Sequence, residues 1–503
     1  MGNQTPAGND SSYFDSLELP SMTPGSLVRK FGPGMMLMMT GIGTSHLVTA
    51  PVAGGRYGYA LLWCLPVAYI FKYYGFEMAI RFTHATGRSM LDAYATAWKK
   101  IPVWYVLITT VIQSAVGQAG RLIAAAAVVF YFFRMFLGLD IPGLNDDKEL
   151  AFYGFVLGVL SVVIILRGRY EIVELVTKIT AGILIVCTLV VFVVEPAPVS
   201  GFVHFFKLAA PEGSWLIIAS FLGLLPTGID VSLQASEWGK AKKVGMGRLR
   251  NEMEAQGLAK KFDAFSSSKE DLSVDVSRLP DHAQEYCRRW FKIGLIDFRL
   301  GHVISFIIAT IFLVLAAVWL YPSNVSGNAV MGEIARIFTE SVGPSLMVVF
   351  LAGALAATYS TAFNYFDGWP RVIGACCRNL FRKTAELSQT AREDLDEKRR
   401  KTWYSEYNIY RISMFFSLIA SVAIIAGIPR PVYLVLVASA LAYFVAPVIF
   451  FLNLYYCRTV IPKEDKLFHP STFATWFSWI SLFVFTGMSA ILILQQLFGI
   501  SLI

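Results

Sequence analysis

Long apolar runs, cut at intervals by polar connections, dominate the pattern of this chain. Windows of about 18–25 apolar residues recur, each long enough to cross a hydrocarbon core of roughly 30 Å. Eleven are found, at about 33–51, 58–80, 103–133, 150–166, 172–194, 213–236, 295–320, 344–370, 409–427, 431–456 and 473–497. The pattern predicts an all-α membrane protein of 11 transmembrane helices. Two runs are interrupted. Span one contains Gly41-Ile-Gly-Thr-Ser-His46, and span six contains Leu225-Pro-Thr-Gly-Ile-Asp230. A helix in lipid must satisfy its backbone internally, so a break is tolerated only where the freed groups line a protected cavity. Paired broken helices are how many transporters build a midplane binding site.

Placement adds a second regularity. The breaks sit in spans one and six, so an odd number of spans, five, separates the two units. The units then face opposite ways across the membrane, as inverted-topology repeats do. Repeat one is expected over about 31–195, repeat two over about 213–456, and an accessory helix over about 473–497.

Composition agrees with a membrane class. The chain is 55% hydrophobic and 16% charged, with a mean hydropathy of +0.56, which excludes an ordinary soluble enzyme. Its net charge of +8 is localised. Lys and Arg concentrate in 81–100, 167–178, 240–292, 371–411 and 458–466, the connections after every even-numbered span. The positive-inside rule puts these, and the N-terminus, in the cytoplasm of a cell-membrane protein, with the C-terminus outside. Basic loops suit anionic lipid better than nucleic acid. Residues 1–30 read as a cytoplasmic tail without a signal-peptide core. Residues 239–292 and 378–408 read as cytoplasmic insertions, the first as amphipathic helices joined by a Ser-rich linker. Six cysteines show no zinc or disulfide spacing, and Cys376-Cys377 is open to packing or lipidation.

Candidate chemistry gathers at the breaks. Gly41, Gly43, Thr44, Ser45 and His46 offer carbonyls, hydroxyls and a ring nitrogen, or simply a kink with small-residue packing. Pro226 removes a donor beside Leu225 and Thr227, Gly228 loosens the backbone, and Asp230 places a carboxylate deep in the span. Such a charge needs a counter-charge, a proton or a cation. In span three, Ser114, Gln118 and Arg121 recur at i, i+4 and i+7 and so predict one shared face, with Gln113 nearby. Arg121 suits either an ion pair with Asp230 or a forked grip on a substrate carboxylate. In span eight, Thr358, Ser360 and Thr361 are candidates for a coupling Na⁺, or for bonding back to their own helix.

Four segments, Phe31-Gly-Pro-Gly34, Gly54-Gly-Arg-Tyr-Gly-Tyr-Ala-Leu-Leu-Trp63, Thr86-Gly-Arg-Ser-Met-Leu-Asp92 and Arg167-Gly-Arg-Tyr-Glu171, stand out. Through them the chain resembles, over about residues 30–460, the NRAMP family of proton-coupled divalent-metal transporters. The resemblance implies the LeuT-type fold of the amino acid–polyamine–cation superfamily, with alternating access. The family's metal-binding motifs do not carry over. Its Asp-Pro-Gly-Asn aligns with Gly43-Thr44-Ser45-His46, and its Met-Pro-His with Leu225-Pro226-Thr227. Stripping water from a divalent ion takes anionic oxygens or a set of softer ligands, and the aligned positions supply neither. The expectation is therefore a secondary transporter, a symporter using H⁺ or Na⁺, that moves a small polar organic solute or a different cation. A Mn/Fe/Mg-like importer with a relocated His46–Asp230 site, or a membrane sensor that binds without transport, are the alternatives. Neither a cofactor nor an enzymatic constellation is indicated.

Overall fold

The computed structural model describes residues 11–43, 45–168, 170–194, 199–323, 344–389 and 401–498, and every element among them is helical. Both predicted breaks are real. Span one runs as Pro33–Gly41, a short interruption, a π-helical turn at Ser45–Thr49, then Ala50–Tyr57. Span six runs as Trp215–Leu224 and Val231–Lys242. The other spans are continuous, among them Cys64–Thr86 (span two), Tyr170–Val194 (five), Pro344–Leu380 (eight), Glu406–Gly427 (nine), Pro431–Val460 (ten) and Thr472–Phe498 (eleven). Spans one, two, three, six, seven, eight and ten form the packed centre. Apolar side chains such as Leu175, Ile179 and Val186 of span five are exposed, as a lipid-facing surface requires.

At the basic end, span seven is the later part of one 39-residue helix, Asp281–Trp319, that starts within the 239–292 insertion. The insertion also holds the α-helix Met246–Ala255, and the Ser-rich stretch at Ser266–Ser268 lies between the two. The N-terminal tail is also partly docked. Phe14 and Leu17 join Met246, Leu249, Met253, Tyr286 and Phe468 in a small second core against spans two, seven and ten. Burying those apolar side chains holds the segment down. Residues 390–400 of the second insertion lie outside the described residues.

Candidate functional site

The second break starts where span six runs out of backbone donors. Leu225 N–H reaches Phe221 O at 2.8 Å, but Pro226 has no N–H with which to continue. Pairing resumes at Val231, whose N–H meets Gly228 O at 3.1 Å. Three carbonyls at and beside the break are taken by Lys72 of span two. Its ammonium donates to Gly223 O at 2.7 Å, Leu225 O at 2.9 Å and Thr227 O at 3.1 Å, with the side chain wholly buried.

Hydroxyls and an imidazole close the first break instead. Thr361 of span eight donates to Met39 O at 3.2 Å, at the end of the first half-helix. His46 Nε2 lies 2.9 Å from Tyr69 Oη and 3.0 Å from Ser305 Oγ, which are 2.6 Å from each other. The breaks touch through Gly41, where a Cβ would run into the Pro226 carbonyl. Only glycine permits that approach of two backbones.

Beside the breaks lies a buried polar seam between spans three, six and eight. Arg121 stacks over Tyr365 at 3.8 Å and Trp369 at 4.9 Å, and donates to Gly117 O at 2.7 Å. Tyr365 Oη sits 3.2 Å from Thr227 Oγ1 of the second break. A Cβ on Gly117 would lie 2.6 Å from Gln113 Oε1 and 2.8 Å from both Arg121 Nη1 and a Trp369 ring carbon, so the three converge there. Asp230 feels Arg121 and Lys72 electrostatically. Several atoms here are buried without a hydrogen-bond partner: Asp230 Oδ1, Gln118 Oε1, and both polar atoms of the Gln113 and Gln234 amides. Buried polar atoms are normally paired, because leaving one unpaired costs about 1–3 kcal/mol.

The remaining sequence candidates fall out unevenly. Ser114 leaves the face expected for it. Its hydroxyl bonds back to Val111 O at 2.8 Å, and its carbonyl accepts from Ser417 of span nine at 2.6 Å. The cause is a π-helical turn at Gln113–Gly117, which widens the helix and shifts its register. Gln113, Gly117 and Arg121 gather instead. Gln118 donates to Ala362 O of span eight at 3.0 Å. Thr358 and Ser360 bond back to Ala354 O (2.8 Å) and Ala357 O (3.0 Å); Thr361 also bonds back, to Ala357 O at 3.1 Å, and alone of the three shares its hydroxyl with a break. Gly43 packs against Thr361, and Gly228 lies under the Asp230 carboxylate. Thr44 and the Ser45 side chain lie outside the described residues. His46 directs Nε2 at spans two and seven, whereas Asp230 has its charged neighbours on spans two and three. Among the described residues, no group of three or more His, Cys, Asp or Glu is placed to hold a metal ion.

Sequence reading missed Lys72, Tyr69, Ser305, Gln234, Tyr365 and Trp369. Lys72 had a usable signal, since an ionisable residue within an apolar span is a functional candidate by default. Gln234 had one too, a helical turn beyond Asp230.

At the basic end, ion pairs tie the spans together. Asp92, between spans two and three, meets Arg378 of span eight at 3.0 Å and Lys240 of span six at 3.5 Å. Arg378 also pairs with Glu406 of span nine. Burial pushes the Asp92 carboxyl up, but Lys240, Arg378 and Arg88 outweigh it and hold it well below the usual carboxylate range. Asp297 accepts the N–H groups of Gly32, Gly34 and Met35, each at 2.9 Å, pinning the start of span one.

Residues 34–495 match the family described as natural resistance-associated macrophage protein-like. An uncharacterised protein of Pasteurella multocida is 21% identical over 475 residues, covering 92% of each chain. A manganese transporter of Eremococcus coleocola, crystallised with an aromatic bis-isothiourea substituted compound, is similar with a TM-score of 0.62 at 12% identity, covering 96% of this chain and 90% of that one. Mhp1, a nucleobase-cation-symport-1 family transporter in a closed conformation with bromovinylhydantoin bound, gives 0.53 at 11% identity, covering 93% and 88%. Both likenesses show the fold, two inverted five-helix units with an accessory helix.

Proposed function

The chain belongs to the natural resistance-associated macrophage protein-like family of membrane transporters, and from that premise we propose that its cargo is a small polar organic solute and not a transition metal. The observation that carries this reading is the set of unpaired buried amide and carboxylate atoms around Arg121. Neutral amides flanking a guanidinium and one carboxylate match a solute that both donates and accepts hydrogen bonds. The position favours binding between two half-helix ends, as in other broken-helix transporters. A dication finds little there. Arg121 and Lys72 would each repel it by several kcal/mol at an effective dielectric near 20, and His46 is engaged elsewhere. We read the basic face as cytoplasmic, its ion pairs closing that end, with transport by alternating access.

Thermal-shift screening of purified protein against amino acids, amines, sugars and Mn²⁺, followed by uptake into proteoliposomes, tests this. An organic solute should stabilise the protein saturably and be taken up, with both responses lost in Gln113→Ala and Asp230→Asn. The manganese of the Eremococcus protein is the rival cargo. Mn²⁺ uptake that vanishes in Asp230→Asn would overturn the proposal; stabilisation by a solute with no flux would make the protein a sensor.

A further inference from the structure

Lys72 goes beyond the question of cargo. The end of a half-helix gathers partial negative charge on carbonyls that have lost their partners. In broken-helix transporters such carbonyls coordinate a coupling cation. Here three of them, from Gly223, Leu225 and Thr227, converge on one ammonium at 2.7–3.1 Å. An ammonium has three donors and no acceptor, so this one is fully used by the cage. The aromatic ring of Phe485, from the accessory helix, lies 5.7 Å away on the cation.

The geometry points to Lys72 as a tethered cation: it fills an ion cage in the second break that would otherwise accept a monovalent cation such as Na⁺ from solution. A purely structural cap had a cheaper solution. The first break meets its Met39 carbonyl with the neutral Thr361 hydroxyl, shared with Ala357 O, whereas burying a charge in a span is costly and marks function. The ammonium therefore supplies positive charge, and not only hydrogen bonds. Transport by the native protein then proceeds without binding a dissolved cation at this break. This inference holds whichever solute is carried.

The test compares wild type, Lys72→Ala and Lys72→Arg, purified in detergent. Each is melted in NaCl, KCl or N-methyl-D-glucamine chloride at constant ionic strength, and ²²Na⁺ binding is measured directly. Wild type should melt at the same temperature in all three salts and bind no ²²Na⁺ above background. Lys72→Ala should melt several degrees lower in N-methyl-D-glucamine, recover saturably in Na⁺, and bind ²²Na⁺ at least tenfold above wild type. Lys72→Arg retains a cation and should stay indifferent to salt. A wild type that binds ²²Na⁺ saturably, or is stabilised by it, overturns the inference. So does a folded Lys72→Ala that ignores Na⁺, and so does a Lys72→Arg that has become Na⁺-dependent. If Lys72→Ala does not fold, the wild-type and arginine measurements still decide. Solute uptake is read separately, so loss of organic transport bears on the cargo and not on the cage.

Discussion

The two helix breaks share an architecture and differ in charge. In the inverted repeat, span seven stands to span two as span six stands to span one. Each break is correspondingly served by the span that follows the break in the other repeat. Span seven gives the first break the Ser305 hydroxyl, beside His46; span two gives the second break the Lys72 ammonium. The first break thus rests on a hydroxyl–imidazole cluster, while the second carries a buried cation and, at Asp230, a carboxylate. Backbone interruption follows from the duplicated topology, but the electrostatics of each interruption are set by one or two side chains. A repeat can therefore keep its fold while its ligand preference drifts.

The comparison requires that the breaks meet, and Gly41 tests this most harshly. A methyl there strikes the Pro226 carbonyl, backbone against backbone, with no flexible side chain to yield. Overpacking of that kind costs about 3 kcal/mol or more. We expect Gly41→Ala to prevent recovery of folded protein or lower its melting temperature by several degrees. Gly182 of span five, with open space where its Cβ would stand, is the control. Gly182→Ala should be neutral or stabilise by up to about 1 kcal/mol. Equal behaviour of the two variants would mean the breaks do not touch.

The charge asymmetry gives the next largest effect. Lys72→Met strands three buried carbonyls, each costing about 1–3 kcal/mol when left unpaired, so the loss should reach about 3 kcal/mol or more. Ser305→Ala removes hydroxyl contacts to His46 and Tyr69 and should cost about 1 kcal/mol. Chemical or thermal denaturation in a fixed detergent measures both. Similar losses would dissolve the distinction between the breaks.

Both breaks were legible because glycine, proline and hydroxyl residues interrupt apolar runs that otherwise forbid them. The fold was legible from the parity of those interruptions. The wiring between spans was less so. Lys72 stands in a tyrosine-rich stretch where a lone lysine carries no motif, and only the folded chain shows which carbonyls it reaches. Ser114 misled because a π-helical turn cannot be read from residue spacing. Tyr365 and Trp369 stand a turn apart in span eight, a spacing that ordinary core aromatics share. His46 was expected to be a site ligand, and its commitment to Tyr69 and Ser305 depends on two spans far away in sequence.

The smallest effect separates ion pairs that hold the fold from charge at the second break. Asp92 lies outside the spans, and its neighbouring cations keep its carboxyl below the usual range. A folded-state pKa below the unfolded value of about 3.9 stabilises the protein above that pH, and the contribution is lost as pH falls through the folded value. Asp92→Asn should therefore lower the melting temperature by a few degrees, with a constant gap to wild type between pH 5 and pH 8. The gap should narrow only below about pH 4, where Asp92 of the unfolded wild-type chain begins to protonate while the folded carboxylate stays ionised. Because Asp92 touches neither break, the variant should remain indifferent to Na⁺ and keep the wild-type response to organic solutes. A salt-dependent Asp92→Asn would show that the basic face and the second break share one electrostatic system, and that charge at the break is not a local property of Lys72 and Asp230.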